Sequence, residues 1–434
     1  MGHPKKIDMN EARLGTDLLK LLNNFFPKLI PSLKEMPDWR DERYITYPHY
    51  YLLFLLIGLF LFRQKARSEI SKELNSDHFI ANINAFLNLN LETVSHGDTC
   101  NNYLLKFESD NLKELPYQMT NFLIRKRCFE KLRFMNKYYL IAIDGSGIAT
   151  FKESLSGKEL IRKQKDGTHC YLHYVLEAKM VFKNGIVASV GSEFIENQNP
   201  EFDKQDCEIN GAKRLIPQLK KKFPCLPVCG LLDGLFSNDP IITIFEKNKW
   251  MYFITLKDGS LKTVHEDYRG LLELQLENHI RNGNVDLYWV NDIQYKSHTL
   301  SIIEGIEPDP DHPGKTKKFM FITNFIVTKQ NVAELYFDGA KQRFKIENEN
   351  FNFQKNDMNF KHLYSTKYEV IKSLYYLLQV AHLIFLVFIY GFYAEKKKVK
   401  KIFGTLTKLA IKILESIISY PVSDFNIRMR LSIV

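Results

Sequence analysis

One segment limits the folds open to this chain more than any other: Lys137-Tyr-Tyr-Leu-Ile-Ala-Ile-Asp144-Gly-Ser-Gly147. Its apolar run is rich in aromatic and β-branched residues and is bounded by turn formers, so it reads as a buried strand. The run ends abruptly in a carboxylate and then in glycines. An aspartate leaving a buried strand is held rigidly with its oxygens towards water, which suits a metal ligand. An Asp-Gly pair is also an ordinary turn. Val228-Cys-Gly-Leu-Leu-Asp233-Gly repeats the pattern. If the two strands are parallel neighbours, both carboxylates leave the sheet at one edge, within reach of one ion.

The residues between these strands support that arrangement. A polar loop over 152–166 precedes two strand-like runs, 171–182 and 186–194, joined by Lys183-Asn-Gly185, a strong hairpin signal. The polar segment 197–206 leads into a helix over 207–223 that Pro217 is placed to kink. After Asp233, Asn238 suits an N-cap and Pro240 the first turn of a further helix. The order is three strands in a meander, a helix, a strand and a helix. A strand follows at 251–256.

The flanking regions have other textures. Residues 1–134 read as mainly helical, over 11–26, 50–65, 77–88 and 99–133, the last interrupted at Pro116. Arg125-Lys-Arg127, Lys131 and Arg133 make it basic, as either a DNA-binding region or a scaffold with a solvated basic face. Residues 284–292, 295–307 and 317–325 alternate in β fashion and read as a β-rich block, and a long helical pattern begins at Thr328.

Two apolar stretches bear on membranes. Residues 50–62 are too few to cross a bilayer as a helix. Residues 374–394 are enough, but Gln379 and His382 near the middle favour a buried helix of a soluble domain over an anchor. The first six residues carry no apolar leader. Six cysteines, with only Cys225 and Cys229 closely spaced, make neither a disulfide framework nor a zinc site, and a reducing cytoplasm fits. The net charge of +10 favours a polyanionic partner, nucleic acid or an anionic surface.

A third carboxylate comes from the helical pattern after Thr328. In Arg343-Phe-Lys-Ile-Glu347-Asn-Glu-Asn-Phe-Asn352, Arg343 and Glu347 are four apart and share a helical face. They read either as a solvated ion pair or as a carboxylate facing the two aspartates beside an arginine that grips a phosphate. Three carboxylates suit two Mg²⁺ or Mn²⁺ ions, which clamp the attacking and leaving oxygens of an in-line phosphoryl displacement.

At these residues the chain resembles the DDE transposases of bacterial insertion sequences. Ile143-Asp-Gly-Ser-Gly147 looks like the first-aspartate strand and Leu231-Leu-Asp-Gly-Leu-Phe-Ser-Asn238 like the second. The Arg343–Asn352 run looks like the glutamate helix, close to RWxIENExFN in relatives. Lys204-Gln-Asp-Cys-Glu208 and Leu377-Leu-Gln-Val-Ala-His382 also match the group. Two positions depart from the related Tyr-Arg-Glu-Lys signature, where Ala340 and Gln354 stand; Tyr336 and Lys355 lie nearby out of register. Ser146 keeps a hydroxyl where the first motif also carries Thr.

The resemblance spans about residues 95–405. It implies an α/β fold: an RNase H-like mixed sheet flanked by helices, with a β-rich insertion and a helical N-terminal region. The implied domains are a helical region 1–134, a catalytic domain 135–258 and 327–405, the insertion 259–326 and a helical tail 406–434. It implies that Asp144, Asp233 and Glu347 bind two Mg²⁺ or Mn²⁺ ions and catalyse cleavage at transposon ends and strand transfer into target DNA. Arg343, Lys355, Lys213 and Arg214 are the candidate phosphate contacts, with Lys220–Lys222 and 396–401 as further basic runs. The implied partners are double-stranded DNA, as terminal repeats and target, and a second copy of the chain in a synaptic homodimer. No membrane is expected, and the location is cytoplasmic, at the nucleoid. Trp289 in the insertion reads as a core tryptophan or a base-stacking one, and His169 and His173 as strand histidines or metal neighbours. A structure-specific nuclease, an inactive DNA-binding derivative and a membrane-anchored protein stay open as alternatives.

Overall fold

The protein is described here by a computed structural model covering residues 11–197 and 204–428. The expectations for residues 1–6, and for 198–203 of the polar segment, lie outside the described residues. The chain forms two compact units, Glu130–Phe351 and Met1–Phe129 with Asn352–Val434. This division differs from the sequence-based one: residues 352–405 group with the N-terminal helices, and 259–326 group with the sheet.

The first unit, Glu130–Phe351, is mixed α/β, built on one sheet flanked by helices. Its strands are β1 (Tyr139–Phe151), β2 (Leu160–Lys163), β3 (His169–Val181), β4 (Val187–Ile195), β5 (Val228–Leu232), β6 (Met251–Thr255), β7 (His279–Asn282), β8 (Val285–Tyr295), β9 (His298–Pro308) and β10 (Thr316–Thr323). They run in the order β2-β3-β1-β5-β6-β10-β9-β8-β7, with β4 also on β3. β1, β3 and β4 are an antiparallel meander turned by Asn184-Gly185, with Gly185 at φ 99°. β5 lies parallel to β1, and β6 parallel to β5. All five residues of β5 are buried, as a parallel strand covered on both faces requires. The helix Asp239–Lys247 lies so close that a Cβ on Gly230 would stand 2.2 Å from the Phe245 ring. Only glycine leaves room for that approach.

Three expectations need correction in this unit. β1 does not stop at Asp144; it continues to Phe151 because the glycine-rich segment stays extended and keeps its ladder to β3, Phe151 pairing with Tyr171. The polar stretch 152–166 contains β2, which pairs with the start of β3. The insertion 259–326 contains the helix Lys262–Leu274, and its strands extend the main sheet, with β10 antiparallel to β6.

The second unit is helical. Its helices include Leu14–Phe25, His49–Leu61, Asp77–Leu87, Gly97–Leu104, Leu115–Arg125, Tyr368–Phe392, Lys396–Phe403 and Leu406–Ser419. The expected helix over 99–133 is broken earlier than Pro116, which occupies the first turn of Leu115–Arg125 instead. Tyr368–Phe392 is the one described helix long and apolar enough to cross a membrane, and 94% of its most apolar window is buried. Gln379 and His382 are engaged inside the unit: Gln354 Nε2 lies 2.8 Å from Gln379 Oε1 and 3.0 Å from His382 Nδ1. That is the pattern of a core helix.

Candidate active site

The parallel ladder between β1 and β5 ends with Ile143 opposite Leu232. Asp144 and Asp233 are therefore the next residues of two neighbouring parallel strands, at the same edge. β5 gives way there to a tight turn, Gly234–Phe236, while β1 runs on beside β3 alone. Asp144 is open on one side because its parallel neighbour has ended, not because its own strand has.

Asp144 is largely buried, and burial pushes its carboxyl up to about 7. The Arg343 guanidinium and the Gly145 N–H, which donates to Oδ1 at 2.9 Å, work against that rise. The negative charges of Glu347 and Glu208 reinforce it. Burial would also raise Asp233, but the Lys257 ammonium, 2.6 Å from Oδ2, and the Gly234 N–H outweigh it and hold the carboxyl below its usual range. Arg343 contributes to the same lowering. One guanidinium thus acts on both aspartates.

Glu347 belongs to an irregular helical segment. A wide turn, Glu334–Gly339, leads through a tight turn, Ala340–Arg343, to a second wide turn, Ile346–Asn352. Such widened turns recur at functional sites. Arg343 Nη1 lies 3.0 Å from Glu347 Oε1 and 3.5 Å from Asp144 Oδ2. The expected shared face of Arg343 and Glu347 is present, and it is turned to Asp144. Lys345 donates to the Lys183 carbonyl at 3.1 Å and Lys183 pairs with Asp338, which ties the segment to the β3–β4 turn. The Arg343 side chain is nearly buried, and its Nε has no hydrogen-bond partner among the described residues. A buried donor without an acceptor is costly, so this atom is available to a ligand oxygen.

Among the described residues, no group of three or more Asp, Glu, His or Cys side chains stands at metal-ligand spacing. Arg343 lies between Asp144 and Glu347, in the place of a countercharge. By type, carboxylate oxygens are the donors a hard divalent cation takes.

The predicted phosphate contacts fare differently. Lys213 is exposed on the helix Glu208–Lys222. Arg214 is already neutralised, 2.6 Å from Glu193 Oε1 and 2.7 Å from Asp206 Oδ2. Lys220 donates to the Pro224 carbonyl. Lys355 belongs to the helical unit, whereas Asp144, Asp233, Arg343 and Glu347 all belong to the sheet unit. Trp289 is buried in β8. His173 is buried against Phe151 and near Glu159, and burial pulls it down to about 4. His169 is exposed at the start of β3. The Tyr336 hydroxyl is buried without a partner among the described residues, and Ser146 is buried.

Sequence reasoning gave no site role to Lys257, Glu208 or Tyr174. Lys257 follows β6, the next parallel strand, and this position beside Asp233 was the available signal. Tyr174 Oη donates to Glu208 Oε1 at 2.8 Å beside Gly145, where a Cβ would stand 2.6 Å from the Tyr174 ring and 2.8 Å from Glu208 Cδ. No protein-family model matches the sequence, and no curated protein matches it.

Proposed function

We propose that the protein is a DDE-type transposase of an insertion sequence, cutting DNA at element ends and joining the freed 3′ ends to target DNA. The observation that carries this reading is the parallel pairing of β1 and β5, which puts Asp144 and Asp233 side by side one residue beyond Ile143 and Leu232. Glu347 adds to it by sharing Arg343 with Asp144. The net charge of +10 is compatible with a DNA partner.

Asp144, Asp233 and Glu347 would hold Mg²⁺ or Mn²⁺, two ions on this reading. Bound there, such ions polarise a phosphoryl oxygen and lower the pKa of a bound water. The chain's residues prepare the site for that chemistry. Asp144 must lose the proton that burial favours. Lys257 keeps Asp233 ionised. Arg343, with its unpartnered Nε, presents a planar donor set to a phosphate oxygen once the carboxylates have another countercharge. On this reading two copies pair two element ends, and the protein works at the nucleoid in the cytoplasm.

The test is a joining assay. Purified protein is incubated with DNA carrying the element's terminal repeats, a target plasmid and Mg²⁺. The reading expects covalent joining of 3′ ends to the target. Cleavage without joining would assign a nuclease on the same fold, and neither activity in Mg²⁺ or Mn²⁺ would sink the reading.

A further inference from the structure

Beside Asp144 the sheet unit contains an open cavity of about 260 Å³. Leu160, Leu172, Tyr174 and Leu235 give it an apolar and aromatic lining, and Arg162 and Glu208 supply charge. The cavity touches both aspartate motifs. Tyr174 and Glu208 crowd Gly145, next to Asp144, and Leu235 lies two residues after Asp233.

Other polar residues around it are already used. Gln205 accepts from the Ile161 N–H at 2.5 Å and donates to the Ile161 carbonyl at 3.0 Å, so it serves as wall. Asp206 is held by Arg214. Glu208 offers its second carboxylate oxygen, because Tyr174 takes only Oε1. The Arg162 guanidinium is exposed and makes no hydrogen bond or ion pair among the described residues. Leu235 is 47% exposed at the rim, a large apolar side chain that a planar ligand would cover.

We infer that this cavity is the subsite for the nucleoside adjoining the bond that is cut. The inference rests on the DNA-cleaving reading and specifies how its substrate is seated. An apolar and aromatic lining accepts the face of any base, an exposed guanidinium suits the flanking phosphate, and the cavity is of the size of one unstacked nucleoside. Seating a nucleoside here would hold the neighbouring phosphodiester at Asp144 and Asp233. Gly145 matters to this arrangement, since any side chain there would displace Tyr174 or Glu208.

The experiment moves a single abasic site through the nucleotides on either side of the cut bond. Cleavage kcat/KM is measured for the full chain and for Arg162→Ala and Leu235→Ala, both at exposed positions, with circular dichroism as the fold check. The wild type should show one position where losing the base lowers kcat/KM about tenfold, the scale of one stacked base. At that position both variants should cleave the intact strand about as poorly as the wild type cleaves the abasic one, with little further loss on the abasic strand. A wild type indifferent to every abasic position overturns the inference, as do folded variants that keep full sensitivity. No cleavage of any substrate removes the functional reading itself, so the two failures are distinguishable.

Discussion

Arg343 Nη1 lies 3.5 Å from Asp144 Oδ2, joining residues that are distant in sequence. The same nitrogen holds Glu347 at 3.0 Å, so Arg343 keeps two carboxylates from facing each other unshielded. Arg343→Ala should therefore lower stability by about 1–3 kcal/mol at pH 8, the scale of a lost partner for a buried ionised group. The loss should shrink at pH 6, where Asp144 is mostly protonated. Denaturant unfolding at both pH values checks this; an equal loss at both would contradict the arrangement.

Asp144 gives a second pH dependence. Its folded value of about 7 lies above the ordinary 3.8, so the folded state binds the proton more tightly than the unfolded chain. The associated stability is fully present below about pH 4 and is lost as pH rises through 7. Asp144→Asn removes that loss. It should stabilise the protein by about 1–2 kcal/mol at pH 8, below the ~4 kcal/mol ceiling of the whole shift because Arg343 loses a partner. The gain should be smaller at pH 5, where only part of that loss has accrued. A larger gain at pH 5 than at pH 8 would reverse the predicted sign.

Divalent ions should compete with that proton. Mn²⁺ binding, followed by calorimetry in buffers of different ionisation enthalpy, should release protons below pH 7 and tighten as pH rises through 7. Asp144→Asn should abolish the proton release. Binding without proton release in the wild type would place the ion elsewhere.

Lys257 should matter to Asp233 more than to the fold. The lysine is more than half exposed, so Lys257→Ala should change stability by less than about 1 kcal/mol. The Asp233 carboxyl should titrate at higher pH in the variant, as followed by carboxyl-carbon NMR. An unchanged Asp233 titration would mean that the 2.6 Å contact is not kept in solution.

His173 should contribute to acid sensitivity. Burial lowers it to about 4 from the ordinary 6.5, so its contribution is present above 6.5 and is lost as pH falls towards 4. His173→Gln should flatten the stability profile across that window by about 1–3 kcal/mol. A profile as steep as the wild type's would exclude His173 as a cause.

Much of the sheet was legible because its strands carry strong local patterns. The Asn184-Gly185 hairpin, buried β5 and the Asn238 cap with Pro240 each have a local cause. Asn238 Oδ1 accepts the Ile241 N–H as an N-cap should. The adjacency of Asp144 and Asp233 followed from their shared pattern once the strands were neighbours. What was not legible depends on distant partners. The continuation of β1 past Asp144 is held by β3, β10 joins β6 across about 70 positions, and residues 352–405 pack with helices from the other end of the chain. The Lys257–Asp233 and Tyr174–Glu208 pairs have spacings that correspond to no local period.

The central claim is that the carboxylates at the edge of β1 and β5 perform divalent-dependent DNA cleavage. The direct measurement is the cleavage rate of duplexes carrying the element's ends in Mg²⁺, for wild type and Asp233→Ala, with DNA binding and folding measured alongside. The account predicts cleavage by the wild type and a loss of at least about a hundredfold in the variant, with duplex binding and the folded state retained. Cleavage by folded Asp233→Ala at the wild-type rate would contradict it.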